Sequence, residues 1–148
     1  MKNITRNILA SRECKNGGEL FKKFVDALAE SLESKGISKL YTFQEKATQQ
    51  ILSSLDLVDG EKRKAVVIMS RTAGGKTFAF LIPTLVFIGY EKICRDVGEG
   101  VKALFVYPTK ALANDQLEEI AEVLYEISRR TGVNISFGIF HGGTKSLY

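Results

Sequence analysis

The chain has 148 residues, 45% hydrophobic and 26% charged, with a formal net charge of +4. These are the proportions of an ordinary soluble globular protein, and the length suits one domain able to bury most of its apolar surface. No run of about eighteen apolar residues occurs and the first residues lack the apolar core of a secretory signal, so no membrane span and a cytoplasmic location are expected. Cys14 and Cys94 stand far apart in sequence and belong to no Cys/His cluster. Two free thiols are therefore expected, and no zinc site. The positive charge permits an anionic partner without requiring one, and the basic run Lys62-Arg63-Lys64 reads as a solvated loop.

In chain order, Leu20, Phe21, Phe24, Val25, Leu28 and Leu32 recur at helical spacing, and Gly36 supplies a stop. Thr42 and Glu45 have the spacing of a capping box and open a helix with Phe43, Ala47, Ile51 and Leu55 on one face. Residues 56–64, which include Gly60, read as a loop. Residues 65–69 form a short apolar run rich in β-branched side chains, the pattern of a strand covered on both faces. A helix is expected over 76–94, and Pro83 inside it removes a hydrogen bond and favours a kink.

Residues 101–107 read as a second buried strand ended by Pro108. Ala113, Leu117, Ile120, Leu124 and Ile127 then mark an amphipathic helix, with Arg129 and Arg130 in its last turn and Gly132 after it. Val133, Ile135, Phe137 and Ile139 alternate with polar or small residues, as in a half-buried strand that His141, Gly142 and Gly143 close. Strands separated by helices require crossover connections and hence a parallel sheet. The expected fold is α/β, a parallel sheet with helices on both faces, and ligands in such folds sit at the carboxyl ends of the strands. The unusual residues of this chain all fall there.

Ser70-Arg71-Thr72-Ala73-Gly74-Gly75-Lys76-Thr77 stands between a predicted strand and a predicted helix, the context a phosphate-binding loop requires. Gly74 and Gly75 let successive N–H groups turn toward phosphate oxygens, and the helix N-terminus adds its positive end. Lys76 is placed to reach the β- and γ-phosphates of ATP, and the Thr77 hydroxyl to hold Mg²⁺. Ser70 stands where the strict motif has glycine. A Gly-rich strand-to-helix turn with no ligand is the alternative reading.

From these residues onward the chain resembles superfamily 2 helicases of the DEAD/DEAH type. Their Ala-x-Thr-Gly-x-Gly-Lys-Thr pattern, followed by Ala-Phe-x-x-Pro, is matched by residues 70–83 with Ser70 and Ala73 as departures. If position 73 needs positive φ, the alanine costs ~1 kcal/mol or more. Residues 107–116, Tyr-Pro-Thr-Lys-Ala-Leu-Ala-Asn-Asp-Gln, resemble motif Ia of that superfamily. The resemblance implies that Pro108, Thr109 and Lys110 hold a nucleic-acid backbone, although a plain helix cap at Thr109 is the simpler reading of that residue alone. It also implies that Gln44 reads the adenine edge, with Tyr41 a weaker candidate for stacking on the ring. Gly142 and Gly143 fall where the family touches the nucleic-acid backbone, and His141 receives no catalytic role.

The resemblance spans about 37–144 and makes the fold a P-loop NTPase (RecA-like) sheet, incomplete at its C-terminal end. Residues 1–36 are expected to be an N-terminal extension with an amphipathic helix, and residues 37–148 a partial helicase ATP-binding domain. The implied function is the ATP-binding portion of a nucleic-acid helicase or translocase, with ATP and Mg²⁺ as cofactors and DNA favoured over RNA. Thr72, Ala73, Gly74, Gly75, Lys76, Thr77 and Gln44 form the expected nucleotide site, and Lys76 and Thr77 the catalytic pair. The family's acidic Asp-Glu-x-Asp/His element does not occur in the chain. The remaining motifs are therefore expected in the same or another chain, and hydrolysis by this chain alone is expected to be negligible. A non-hydrolysing nucleotide-binding or adaptor module derived from a helicase is the alternative, and an unrelated P-loop kinase a further one.

Overall fold

The computed structural model describes residues 14, 16–55, 65–69 and 75–143. Among them run four helices: α1 (Gly18–Ser34), α2 (Thr42–Leu55), α3 (Lys76–Cys94) and α4 (Lys110–Thr131). In α1 the predicted apolar stripe buries Phe21, Phe24, Val25, Leu28 and Leu32, while Leu20 turns outward. The helix closes with Gly36 at φ 82°. The Gly36 N–H donates to the Glu33 carbonyl and the Ile37 N–H to the Leu32 carbonyl, both at 2.9 Å. That pair of bonds satisfies carbonyls a helix end leaves open, and Ile37 packs back against the core.

The start of α2 is displaced by one residue from the expected capping box. Gln44 and Glu45 both donate their backbone N–H to the Tyr41 carbonyl, at 2.9 and 3.0 Å. Gln44 Oε1 accepts the Tyr41 N–H at 2.8 Å. The reaching-back role therefore falls to Gln44 rather than Glu45, and Thr42 lies inside the helix. The buried face is Gln44, Ala47 and Thr48, rotated from the predicted Phe43-Ala47-Ile51-Leu55 stripe; Leu55 is exposed. Small Ala47 and Thr48 let α2 pack closely on α3, with Gln44 at the end where α3 begins.

Pro83 is buried inside α3, and the helix continues past it to Cys94. Its ring leaves the Ala79 carbonyl without the usual i+4 donor. On the neighbouring carbonyl, the Thr84 hydroxyl donates to Phe80 at 2.7 Å. Helix α3 is long and apolar enough to cross a membrane by length and composition alone, and half of that window is buried inside the protein. For α4, Gly132 ends the helix at φ 73° with its N–H on the Ser128 carbonyl, as the sequence predicts.

Helix α1 lies at the centre of the packing, against α3 on one side and α4 on another, and α2 packs on α3. Leu81, Ile82, Leu85, Val86 and Tyr90 of α3 and Ile120, Val123, Leu124 and Ile127 of α4 meet the α1 stripe in one core. The α1–α3 approach is close enough that a Cβ on Gly89 would stand 2.4 Å from the Phe24 ring. Along the α1–α4 flank, Arg130 pairs with Glu30 and Lys35 with Glu122.

The expected α/β architecture, a RecA-like parallel sheet with helices on both faces, is not what these residues form. The described residues hold helices and no strand. Residues 65–69 and 101–107, expected to be buried strands, instead switch between exposed and partly buried positions, regularly in 65–69 and with one break at 102–103 in the second run. Val67, Met69, Leu104 and Val106 are 79%, 87%, 82% and 83% exposed, so the second face is not covered. No backbone hydrogen bond among the described residues links these segments to each other or to 133–140. Apolar, β-branched composition favours an extended segment, whereas a strand exists only through ladder bonds to a partner. The shared sheet edge expected to gather the motif segments is absent with the sheet, and the termini of α2, α3 and α4 position them instead.

The cysteines also depart from expectation. Cys14 and Cys94 form a disulfide, with Cα atoms 4.7 Å apart across a sequence separation of 80. Distance along the chain had made them independent thiols. Docking of α1 on α3 brings the residues before α1 to the end of α3, where a Cβ on Gly17 would lie 2.7 Å from Ile93.

Candidate functional site

Helix α3 begins at Gly75 in the left-handed conformation, φ 71° and ψ 28°, with Lys76 and Thr77 as its first residues. Gln44 reaches this point from α2. Its amide is 2% exposed, and Nε2 donates to the Gly75 carbonyl at 2.8 Å while Oε1 holds the Tyr41 N–H. A Cβ at position 75 would stand 2.7 Å from Gln44 Nε2, so backbone conformation and packing both call for glycine there. Tyr41 is 66% exposed and stacks on Phe43 with ring centroids 6.1 Å apart and an interplanar angle of 11°. Its ring edge comes within 4.0 Å of the same Cβ position.

The structure thus brings Tyr41, Gln44, Gly75, Lys76 and Thr77 to one end of α3. Thr72, Ala73 and Gly74, with Ser70 and Arg71, lie outside the described residues, so the φ expected at Ala73 has no counterpart here. The donor set at this end fits a phosphate chain: the open N–H groups of a helix's first turn, an ammonium and a hydroxyl. For Mg²⁺ it supplies one oxygen, Thr77, consistent with an ion that keeps waters and takes substrate phosphates as ligands. Among the described residues no cluster of His, Cys, Asp or Glu is arranged to hold a metal.

A second group forms around the start of α4. Thr109 is the N-cap, its hydroxyl accepting the Leu112 N–H at 3.3 Å. The simpler reading of Thr109 as a helix cap therefore holds, and capping uses an acceptor of a hydroxyl that also has a donor. Pro108 and Lys110 are exposed beside it. Lys110 Nζ lies 3.8 Å from the Cβ position of Gly142 and 3.9 Å from that of Gly143. The residues expected to meet a nucleic-acid backbone, from segments far apart in sequence, are therefore neighbours. Thr144 lies outside the described residues.

Just before this group, burial of the Tyr107 phenol, helped by the Glu119 carboxylate, raises its pKa above the ordinary value. The Tyr107 hydroxyl and Gln116 Oε1 are both buried without a hydrogen-bond partner among the described residues. His141 contributes a contact that the sequence reading missed: Nδ1 accepts the Gly143 N–H at 2.9 Å. The signal was present in a polar ring placed two residues ahead of a glycine in a turn, the offset at which side chains bond forward to backbone.

The sequence model of the DEAD/DEAH box helicases matches residues 41–146, from Tyr41 through both groups. The chain belongs to the DEAD/DEAH box helicase family. Helix α1 precedes the matched span. Among its relatives, the uncharacterized ATP-dependent helicase YprA of Bacillus subtilis (strain 168) is 33% identical over 77% of this chain and 13% of its own length. ATP-dependent RNA helicase ROK1 of Eremothecium gossypii is 39% identical over 45% of this chain and 11% of its own length. Nucleolar RNA helicase 2-A of Xenopus laevis is 27% identical over 77% of this chain and 13% of its own length. This DEAD/DEAH box chain thus spans a small part of each relative. No solved structure matches it.

Proposed function

We propose that this chain is the ATP-binding portion of an ATP-dependent helicase or translocase that grips a nucleic-acid backbone, DNA in preference to RNA. The observation that carries the reading is the meeting of Gln44 and Tyr41 with Gly75, Lys76 and Thr77 at the start of α3. Lys76 would neutralise the β- and γ-phosphates, and the Thr77 hydroxyl is the oxygen this site would offer Mg²⁺, which would supply charge stabilisation to the transferring phosphoryl group. The described bonds of Gln44 use one amide donor and one acceptor of the two each that the group carries, and its reading of an adenine edge is carried by the family resemblance. Exposed Tyr41 beside it offers a stacking face. Thr109, Lys110, Gly142 and Gly143 meet sugar and phosphate, a contact that positions the strand without reading its sequence. The wording of residues 107–116 supports DNA, while the RNA helicases among its relatives support RNA.

In the natural protein, Lys76→Ala should lower nucleic-acid-stimulated ATP hydrolysis by about 100-fold or more. Single-stranded DNA should stimulate the unmodified protein more than RNA of equal length. Hydrolysis indifferent to both strands would count against a motor. ATP binding with no hydrolysis by the natural protein would favour the adaptor reading.

A further inference from the structure

His141 has no place in the function just described, although it sits in the turn that bears Gly142 and Gly143. Its Nδ1 accepts the Gly143 N–H at 2.9 Å, a side-chain-to-backbone bond that closes the turn on itself. The ring lies against the Gly143 backbone: a Cβ there would be 3.1 Å from Cε1 and 3.2 Å from Nδ1. A Cβ at 143 would need the imidazole to give by a few tenths of an ångström. The imidazole acts here as an acceptor for backbone, and Lys110 Nζ lies beside both glycines.

Two adjacent glycines lose more conformational freedom on ordering than any other pair, and a turn left loose would be ordered only as a ligand binds. Fixing the turn beforehand removes that loss from the binding step. We propose that His141 is a positioning residue for nucleic-acid binding, holding the Gly142–Gly143 turn against Lys110 so that ammonium and turn backbone meet the same stretch of sugar–phosphate chain. This rests on the reading of Lys110 and the glycine pair as backbone contacts. It assigns His141 no contact with the strand.

The test is binding of the chain to oligo-dT and oligo-U across a salt series, with His141→Ala, His141→Asn and Lys110→Ala alongside. Asparagine keeps an acceptor near the Nδ1 position and removes the rest of the ring, whereas alanine removes both. His141→Ala should weaken binding about 3- to 10-fold with the salt slope unchanged, and His141→Asn should restore most of the loss. Lys110→Ala should weaken binding and reduce the slope by about one counterion. In the free protein, Gly143 amide exchange should quicken in the alanine variant and stay slow with asparagine, a readout independent of any strand.

If His141→Ala binds like the unmodified chain while Lys110→Ala is weakened with a shallower slope, the positioning role is overturned and the backbone-contact reading stands. If asparagine is as weak as alanine, or either lowers the slope, the ring itself touches the strand and the positioning role is again overturned. If Lys110→Ala changes neither affinity nor slope, the reading of the site fails and the inference fails with it.

Discussion

Gly75 answers two demands at once, and the measurable size of each can be separated. Its φ of 71° strains any L side chain, and a Cβ would also press on Gln44 Nε2 at 2.7 Å. Gly75→Ala should therefore destabilise the fold by about 2 kcal/mol, the sum of left-handed strain and a displaced buried amide. In a Gln44→Ala background the steric part disappears and the penalty should fall toward about 1 kcal/mol, read as coupling in a double-mutant denaturation cycle. Equal penalties in both backgrounds would mean that Gln44 and Gly75 do not touch. The sequence made Gln44 a candidate through its resemblance to a family segment and Gly75 through the phosphate-loop pattern. It did not reveal that they bond, because that contact spans 31 positions and depends on how α2 packs on α3. The same blindness moved the α2 cap from Glu45 to Gln44: the spacing fits either residue, and burial decides between them.

Helices were legible where their information is local. The α1 and α4 helices and their closing glycines Gly36 and Gly132 were read from the sequence, since periodicity and caps lie within a few residues of the element they define, though the α1 stripe wrongly included Leu20 and the α4 stripe missed Val123. The runs at 65–69, 101–107 and 133–139 were not, because a strand's defining bonds come from elsewhere in the chain. The packing of α1 gives a test at this scale. Phe24 is fully buried against Gly89, and Leu20, on the same helix, is 39% exposed. Phe24→Ala should destabilise the protein by about 3–5 kcal/mol, and Leu20→Ala by about 0.5 kcal/mol at most, in urea unfolding. Similar effects at both positions would refute the docking of α1 through this face.

For the molecule as a whole, the disulfide is the least legible feature and the easiest to test. Closing a loop of 80 residues constrains the unfolded chain, and reducing it should lower stability by about 2–4 kcal/mol. The Cys14→Ser, Cys94→Ser double variant should unfold at the same denaturant concentration as the reduced protein. Both thiols alkylating in the folded, non-reduced protein would show that the bond is not made. Nothing in the spacing of the two cysteines announced it, because their proximity is a product of the tertiary packing that the helices create.

Seen from α1, the molecule is a tie-bar with unlike fastenings. Its leading end is joined covalently, through Cys14, to the helix that starts with Lys76 and Thr77. Its trailing half is held by Glu30 and Lys35 to the helix that starts at Lys110. A reductant releases the first fastening and leaves the second. Added salt weakens the exposed ion pairs, each worth about 0–1 kcal/mol, and does not touch the first. Redox potential and ionic strength are therefore separate handles on the two ends of one helix.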